Sequence, residues 1–182
     1  MLRRIIATAI LLLAIVSGIV AYAGISVIYP GTVTFSEVKP PVKIVAGSNA
    51  NATGLAGTTL SVTIGANSTS VSVSFAITYQ TNYIDDVFEI KNTDNTSTYY
   101  IVIRVNQPIT ASNVREAYMY VGSTQIDLTA TGTSAEITLP AGGTLKVSFK
   151  IVVEEGTALK TTGLTTSFDI IYSPETPVPT PP

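Results

Sequence analysis

The chain has no cysteine, no histidine and no tryptophan. Without cysteine there is no disulfide framework and no thiol nucleophile, and without histidine the usual zinc, copper and haem ligand sets are gone as well. The missing tryptophan removes the commonest sugar-stacking ring. Charge is also scarce: Asp, Glu, Lys and Arg make up 12% of 182 residues, with a net charge of −2. No basic stripe marks a nucleic-acid footprint. GxSxG, P-loop and GxGxxG signatures are absent, so the sequence points away from an enzyme and calls for no cofactor.

What is present begins with a leader. Arg3 and Arg4 precede an apolar run from Ile5 to Val20, and Ala21-Tyr22-Ala23 forms an A-x-A site before Gly24. This is the pattern of a secretory signal peptide spanning residues 1–23, cleaved to leave Gly24 first. A retained membrane anchor is the rival reading, because the run is nearly bilayer-long. Cleavage would take Lys+Arg from 10 to 8 against 12 acids and leave about 160 residues, enough for one domain with a core. A secreted domain of this kind, lacking disulfides, needs a large core or strands shared between subunits.

Residues 24–36 read GISVIYPGTVTFS. Ile25, Val27, Tyr29, Val33 and Phe35 fall on one face, with Ser26, Pro30, Thr32, Thr34 and Ser36 on the other and Ile28 as the one exception. That alternation predicts a strand with one buried side. It stands at the free end of the mature chain, ahead of the stiff Pro40-Pro41 pair.

Further alternating runs follow, separated by turn residues. They lie at 42–46, 60–64, 71–79, 87–90, 99–105, 117–121, 125–128, 135–139, 145–153 and 165–172. The run with Val71, Val73, Phe75, Ile77 and Tyr79 has the cleanest alternation, and 99–105 reads as a central strand. No stretch after residue 23 has helical period, apart from one expected turn at 113–117. About ten short strands rich in Val, Ile, Thr and Tyr predict an all-β, jelly-roll-like β-sandwich of short antiparallel strands over residues 37–173. The end, SPETPVPTPP, reads as a solvated polyproline-type tail over 174–182.

Few side chains suggest chemistry. Asp85, Asp86, Glu89 and Asp94 could supply oxygen ligands to calcium, but they lack the spacing of a calcium loop and read as solvated acids. A glycosidase carboxylate pair has still less support. Lys91-Asn92, Lys146 and Lys150 permit an isopeptide crosslink without requiring one, and Lys146 and Lys150 read as an exposed strand face. Asn51, Asn67 and Asn95 head N-x-Ser/Thr sequons in turns and are candidate glycan acceptors. Nine tyrosines, among them Tyr118 and Tyr120, offer a sugar-stacking face or simply amphipathic strand positions.

The apolar first strand could close its own sheet, touch a membrane or enter another copy by β-strand addition. Its free end favours the last, which propagates as a filament when the contact is head-to-tail. Three segments carry a resemblance to a family: GISVIYPGTVTF, FEIKN at 88–92 running into YYIVIRV, and LPAGGTLKVSFKIVV at 139–153. In these the chain resembles the archaeal bundling pilins and, more distantly, the TasA and camelysin-like biofilm-matrix fibre proteins. It is shorter than the bacterial members and lacks their charged helical insertions. The resemblance implies a secreted, non-enzymatic subunit of an extracellular filament. Its donor strand would present Ile25, Val27, Tyr29, Val33 and Phe35 to the next copy in a head-to-tail homopolymer, and filaments would associate in bundles. No nucleic acid and no membrane anchor after cleavage enter that picture. The alternative is a monomeric secreted adhesive or carbohydrate-binding module.

Overall fold

The computed structural model describes residues 38–53, 59–155 and 164–179. The leader, the cleavage site and the expected donor strand lie outside them. The described chain is all-β, with no helix among the described residues and every strand pair antiparallel. Eleven strands follow in order: β1 Val42–Ala46, β2 Ser61–Ile64, β3 Val71–Ser74, β4 Gln80–Asn92, β5 Tyr99–Gln107, β6 Val114–Val121, β7 Thr124–Asp127, β8 Gly132–Thr133, β9 Ile137–Leu139, β10 Thr144–Val153 and β11 Ser167–Ser173. The order β1-β4-β10-β6-β7 makes a five-stranded sheet. The second sheet is β11-β5-β8, with β9 pairing further along β5.

These two sheets form a β-sandwich. Alternate residues of β10 (Val147, Phe149, Ile151, Val153) meet Ile101, Ile103 and Val105 of β5 in one core. The strict alternation read at 145–153 therefore becomes the central strand of the larger sheet. The β6–β7 hairpin closes through Gly122-Ser123, with Val121 opposite Thr124. Gly122 takes φ +58 there, the left-handed first position that a two-residue hairpin loop demands.

Three expectations are corrected. The clean alternation at 71–79 forms regular strand only to Ser74. Its antiparallel partner β2 begins only at Ser61, opposite Ser74, so the ladder stops although Phe75 and Ile77 still pack on the core. The strand expected at 87–90 is much longer: β4 begins at Gln80 and carries the charged TNYIDD stretch within it. It absorbs that stretch through a bulge, in which Asp85, Asp86 and Val87 lie opposite Ser148 alone. The helical turn expected at 113–117 is a strand from Val114, entered through a tight turn in which Val114 N donates to Ala111 O at 3.0 Å.

The tail also departs from its expectation. Val178 is only 7% exposed. Its N–H donates to Glu136 Oε2 at 3.1 Å, and the Thr176 hydroxyl donates to Glu136 Oε1 at 2.7 Å. The tail's first residues thus dock on the body through an acid of the β8–β9 connection. At the other end, the Pro41 carbonyl accepts both the backbone N–H and the hydroxyl of Thr93, each at 2.8 Å. That fixes the entry into β1.

Candidate functional site

The hairpin β2–β3 belongs to neither main sheet. Val62, Ile64, Val71 and Val73 are only partly buried, yet they pack against the common core. The Phe75 ring, just past β3, lies 5.9 Å from that of Phe149, which in turn lies 6.3 Å from Phe88. Phe149 points to the inner side of the five-stranded sheet. The hairpin therefore covers the same side of that sheet as β11 and β5.

Between the hairpin and β11 runs a slot. Val71, Val73, Phe75 and Ile77 form one wall, and Leu164 and Phe168 the other. Ile109, Leu128, Phe149 and Ile151 make its floor. This cavity of about 420 Å³ shares Val71, Thr166 and Phe168 with a second of about 480 Å³, which continues beside Ile44 and Ile170. Among the described residues, the only charged one on either lining is Asp169. Arg104 Nη2 holds Asp169 Oδ2 at 2.7 Å, and the hydrogen bond from Arg104 keeps its carboxyl below the ordinary range. Serines and threonines at 69, 70, 72, 74 and 165–167 supply the remaining polarity among the described residues.

Both walls are strand edges. Among the described residues β3 pairs only with β2, and β11 only with β5. Each therefore offers one row of backbone N–H and C=O groups that no described strand takes up. The side chains lining the slot share this incompleteness. Phe168 and Ile170 on β11 and the apolar residues of β3 are all half-buried, whereas Ile101, Ile103 and Val105 of β5 and Val147, Phe149, Ile151 and Val153 of β10 are buried. One further antiparallel or parallel strand, apolar on one face and Ser/Thr-rich on the other, matches the chemistry of this slot.

The acids singled out in the sequence separate into different roles. Asp94 is a turn acid. Its Oδ1 accepts the Thr96 hydroxyl at 2.6 Å and the Thr96 N–H at 2.8 Å, and these bonds hold its carboxyl well below the usual carboxylate range. Asp86 is not a solvated loop acid, because the β4 bulge leaves it 2% exposed with φ +45. Burial pushes its carboxyl up. Hydrogen bonds from the Ser48 hydroxyl at 2.6 Å and from Lys146 Nζ at 3.0 Å outweigh that and hold it below its ordinary value. Asp85 Oδ1 accepts the Ser148 hydroxyl at 2.7 Å, and Ser148 Oγ accepts the Asp86 N–H at 3.1 Å. Glu89 lies across from Lys146 in register on β4. No group of three or more metal-ligating residues occurs among the described residues.

Lys146 and Lys150 do face outward, as their strand positions predicted, but both are paired. Lys150 Nζ meets Glu116 Oε2 at 2.9 Å. The hydrogen bond and charge of Asp86 raise Lys146, and those of Glu116 raise Lys150. Both lysines are thus held in ion pairs, Lys146 with a buried carboxylate and Lys150 with a half-buried one. Asn92, also a crosslink candidate, is fully buried. It donates to Ser97 O and Pro140 O at 2.8 and 3.0 Å and accepts from Asp94 N at 2.9 Å, tying two turns together. The sequon residues Asn51, Asn67 and Asn95 are all exposed in turns. Asn51 Oδ1 accepts Val62 N at 3.3 Å.

Neither protein-family models nor curated proteins match this chain. Among the described residues no helix is long and apolar enough to cross a membrane.

Proposed function

We propose that this protein is a secreted structural subunit of an extracellular filament, and that each copy fills the slot between β3 and β11 with residues 24–36 of the next. The observation that carries the reading is that two strand edges, which no described strand pairs, flank a slot whose described residues are apolar and nearly uncharged. The proposed occupant has the complementary pattern. Ile25, Val27, Tyr29, Val33 and Phe35 supply the apolar face, and Ser26, Thr32 and Thr34 the polar one. A strand rises about 3.3 Å per residue, so the occupant is long enough to run beside all of residues 69–77.

The energetics permit assembly without a covalent bond. Five large apolar side chains contribute about 1.5–3 kcal/mol each when buried, or roughly 7–15 kcal/mol. Ladder hydrogen bonds add about 1 kcal/mol net apiece. Association and ordering of the strand cost about 4–15 kcal/mol. Because the donor and slot surfaces differ, the contact is heterologous and propagates head-to-tail. Adhesion and bundling then belong to the outer surfaces of the subunits.

The test is a chain lacking residues 24–36 together with a synthetic peptide of those residues. The truncated chain should stay monomeric and β-rich, and the peptide should raise its Tm with increasing concentration. Assembly of the truncated chain into filaments would overturn the proposal.

A further inference from the structure

The outer face of the five-stranded sheet carries an aromatic cleft on the side away from the slot. Tyr83 on β4 is 60% exposed. Its ring lies 6.5 Å from that of Tyr120 on β6, inclined at 63°, and Tyr120 lies 6.4 Å from Tyr118. Lys150, in register with both Tyr83 and Tyr118, sets its ammonium 5.8 Å from the centre of the Tyr118 ring. Ser148, Lys146, Thr144 and Asp85 complete a cavity of about 440 Å³ with Tyr83 and Tyr120.

We infer that this cleft binds a neutral pyranose unit of a polysaccharide. A pyranose has an apolar C–H face and a rim of hydroxyls. The inclined rings of Tyr83 and Tyr120 offer the apolar contact, and the groups around them offer the hydrogen bonds. Asp85 is exposed and accepts only, so it suits sugar hydroxyls as donors. Lys146 gives one of its three N–H bonds to Asp86 and is 60% exposed, which leaves donors facing the cleft.

Two features favour a sugar over a second copy of the protein. The cleft holds a carboxylate and an ammonium beside its rings, and charged residues are depleted at the centre of protein–protein interfaces. The backbone is also specialised beneath it. The three-against-one bulge at Ser148 and the left-handed Asp86 lie between the cleft and the core, and bulges of this kind re-aim neighbouring side chains. The Ser48, Lys146 and Ser148 bonds tie that bulge to the neighbouring loop and strand beside the Tyr83 end of the cleft.

Equilibrium dialysis of the full chain against labelled mannohexaose and isomaltohexaose tests this. The membrane passes the sugar and retains the protein whether it is monomeric or polymeric, so the result is independent of filament assembly. The wild-type protein should retain at least one of the two hexasaccharides. Tyr83→Ala and Tyr120→Ala should each weaken binding about tenfold or more, with far-UV spectra unchanged. Tyr83→Phe, which keeps the ring, should stay within about twofold of wild type. Retention of neither sugar, or equal retention by Tyr83→Ala, would overturn the inference. It would equally fail if Tyr83→Ala disperses filament bundles while leaving sugar retention intact, because the face would then be a contact between copies.

Discussion

Val73→Asp separates the two halves of the proposed assembly contact. Val73 sits mid-slot on β3, opposite Val62 of β2, and is half-buried. In an open slot the new carboxylate reaches water. The cost is then mainly the lost half-burial of a valine, about 1 kcal/mol against the 1.5–3 of full burial. In a filled slot the same carboxylate has no cation among the described residues of the lining, which are Ser, Thr and apolar. It must be desolvated unpaired or take up a proton, which costs several kcal/mol, with about 4–7 kcal/mol for a pKa raised by 3–5 units. The difference, at least about 3 kcal/mol, weakens strand uptake more than a hundredfold. The variant should therefore fold with a modestly lowered Tm and fail to polymerise.

Mixing makes the test sharper. Val73→Asp spoils the slot and spares residues 24–36, whereas Val27→Asp does the reverse. The two variants together should form discrete pairs and no filaments. Small amounts of either added to wild-type protein should shorten filaments by ending growth. Sedimentation and electron microscopy read both outcomes. Wild-type filament length from Val73→Asp alone would show that this slot does not accept the strand, even if Val27→Asp blocks assembly.

The remaining predictions concern the body of the domain. Asp86, Asp169, Glu116 and Asp94 all have lowered carboxyl values, so their contributions are present above the unfolded range near pH 4 and are lost as pH falls through the folded values. Thermal melts from pH 6 to pH 2 should show that loss, and Asp86→Asn should lower Tm at neutral pH while flattening the acid limb. An unchanged acid limb would contradict the buried ion pair. Gly47→Ala should destabilise by about 1–3 kcal/mol, because a Cβ there would lie 2.1 Å from the Asp86 carbonyl oxygen; an unaltered Tm would show that the loop yields freely. Removing residues 174–182 should cost about 1 kcal/mol through Val178 and Glu136, or roughly 2–4 °C in Tm, and leave assembly intact. No fall in Tm would mean that the docked tail adds nothing.

Much of the sandwich was legible in the sequence because alternation reports which way side chains face. The runs at 42–46, 99–105 and 145–153 became β1, β5 and β10 with few changes. Alternation does not report whether a neighbouring strand exists. That is why 71–79 looked like the best strand and yet forms a ladder only to Ser74, with its other edge on the slot. It also fails across a bulge. Asp85-Asp86 broke the period and read as a loop, although Asp86 is buried inside the longest strand. The Tyr83–Tyr120 cleft was half visible. Tyr118 and Tyr120 stood out as a pair on one face, but Tyr83 comes from β4, across β10 in the sheet, and no spacing in the chain announces it.

The order in which the slot's parts are synthesised has a consequence of its own. Its first wall, β3, ends at Ser74, but its second wall, β11, ends at Ser173 and is the last of the described strands. The floor also waits, because Phe149 and Ile151 belong to β10, and β10 must find β4 across more than fifty residues of intervening chain. Pairings of that separation form slowly. In the proposed filament, the segment that enters a neighbour is made before β1, and the place that receives one exists only after β11 has emerged. A growing chain can thus offer a strand long before it can take one, so acceptance by each copy is timed to the completion of its own fold.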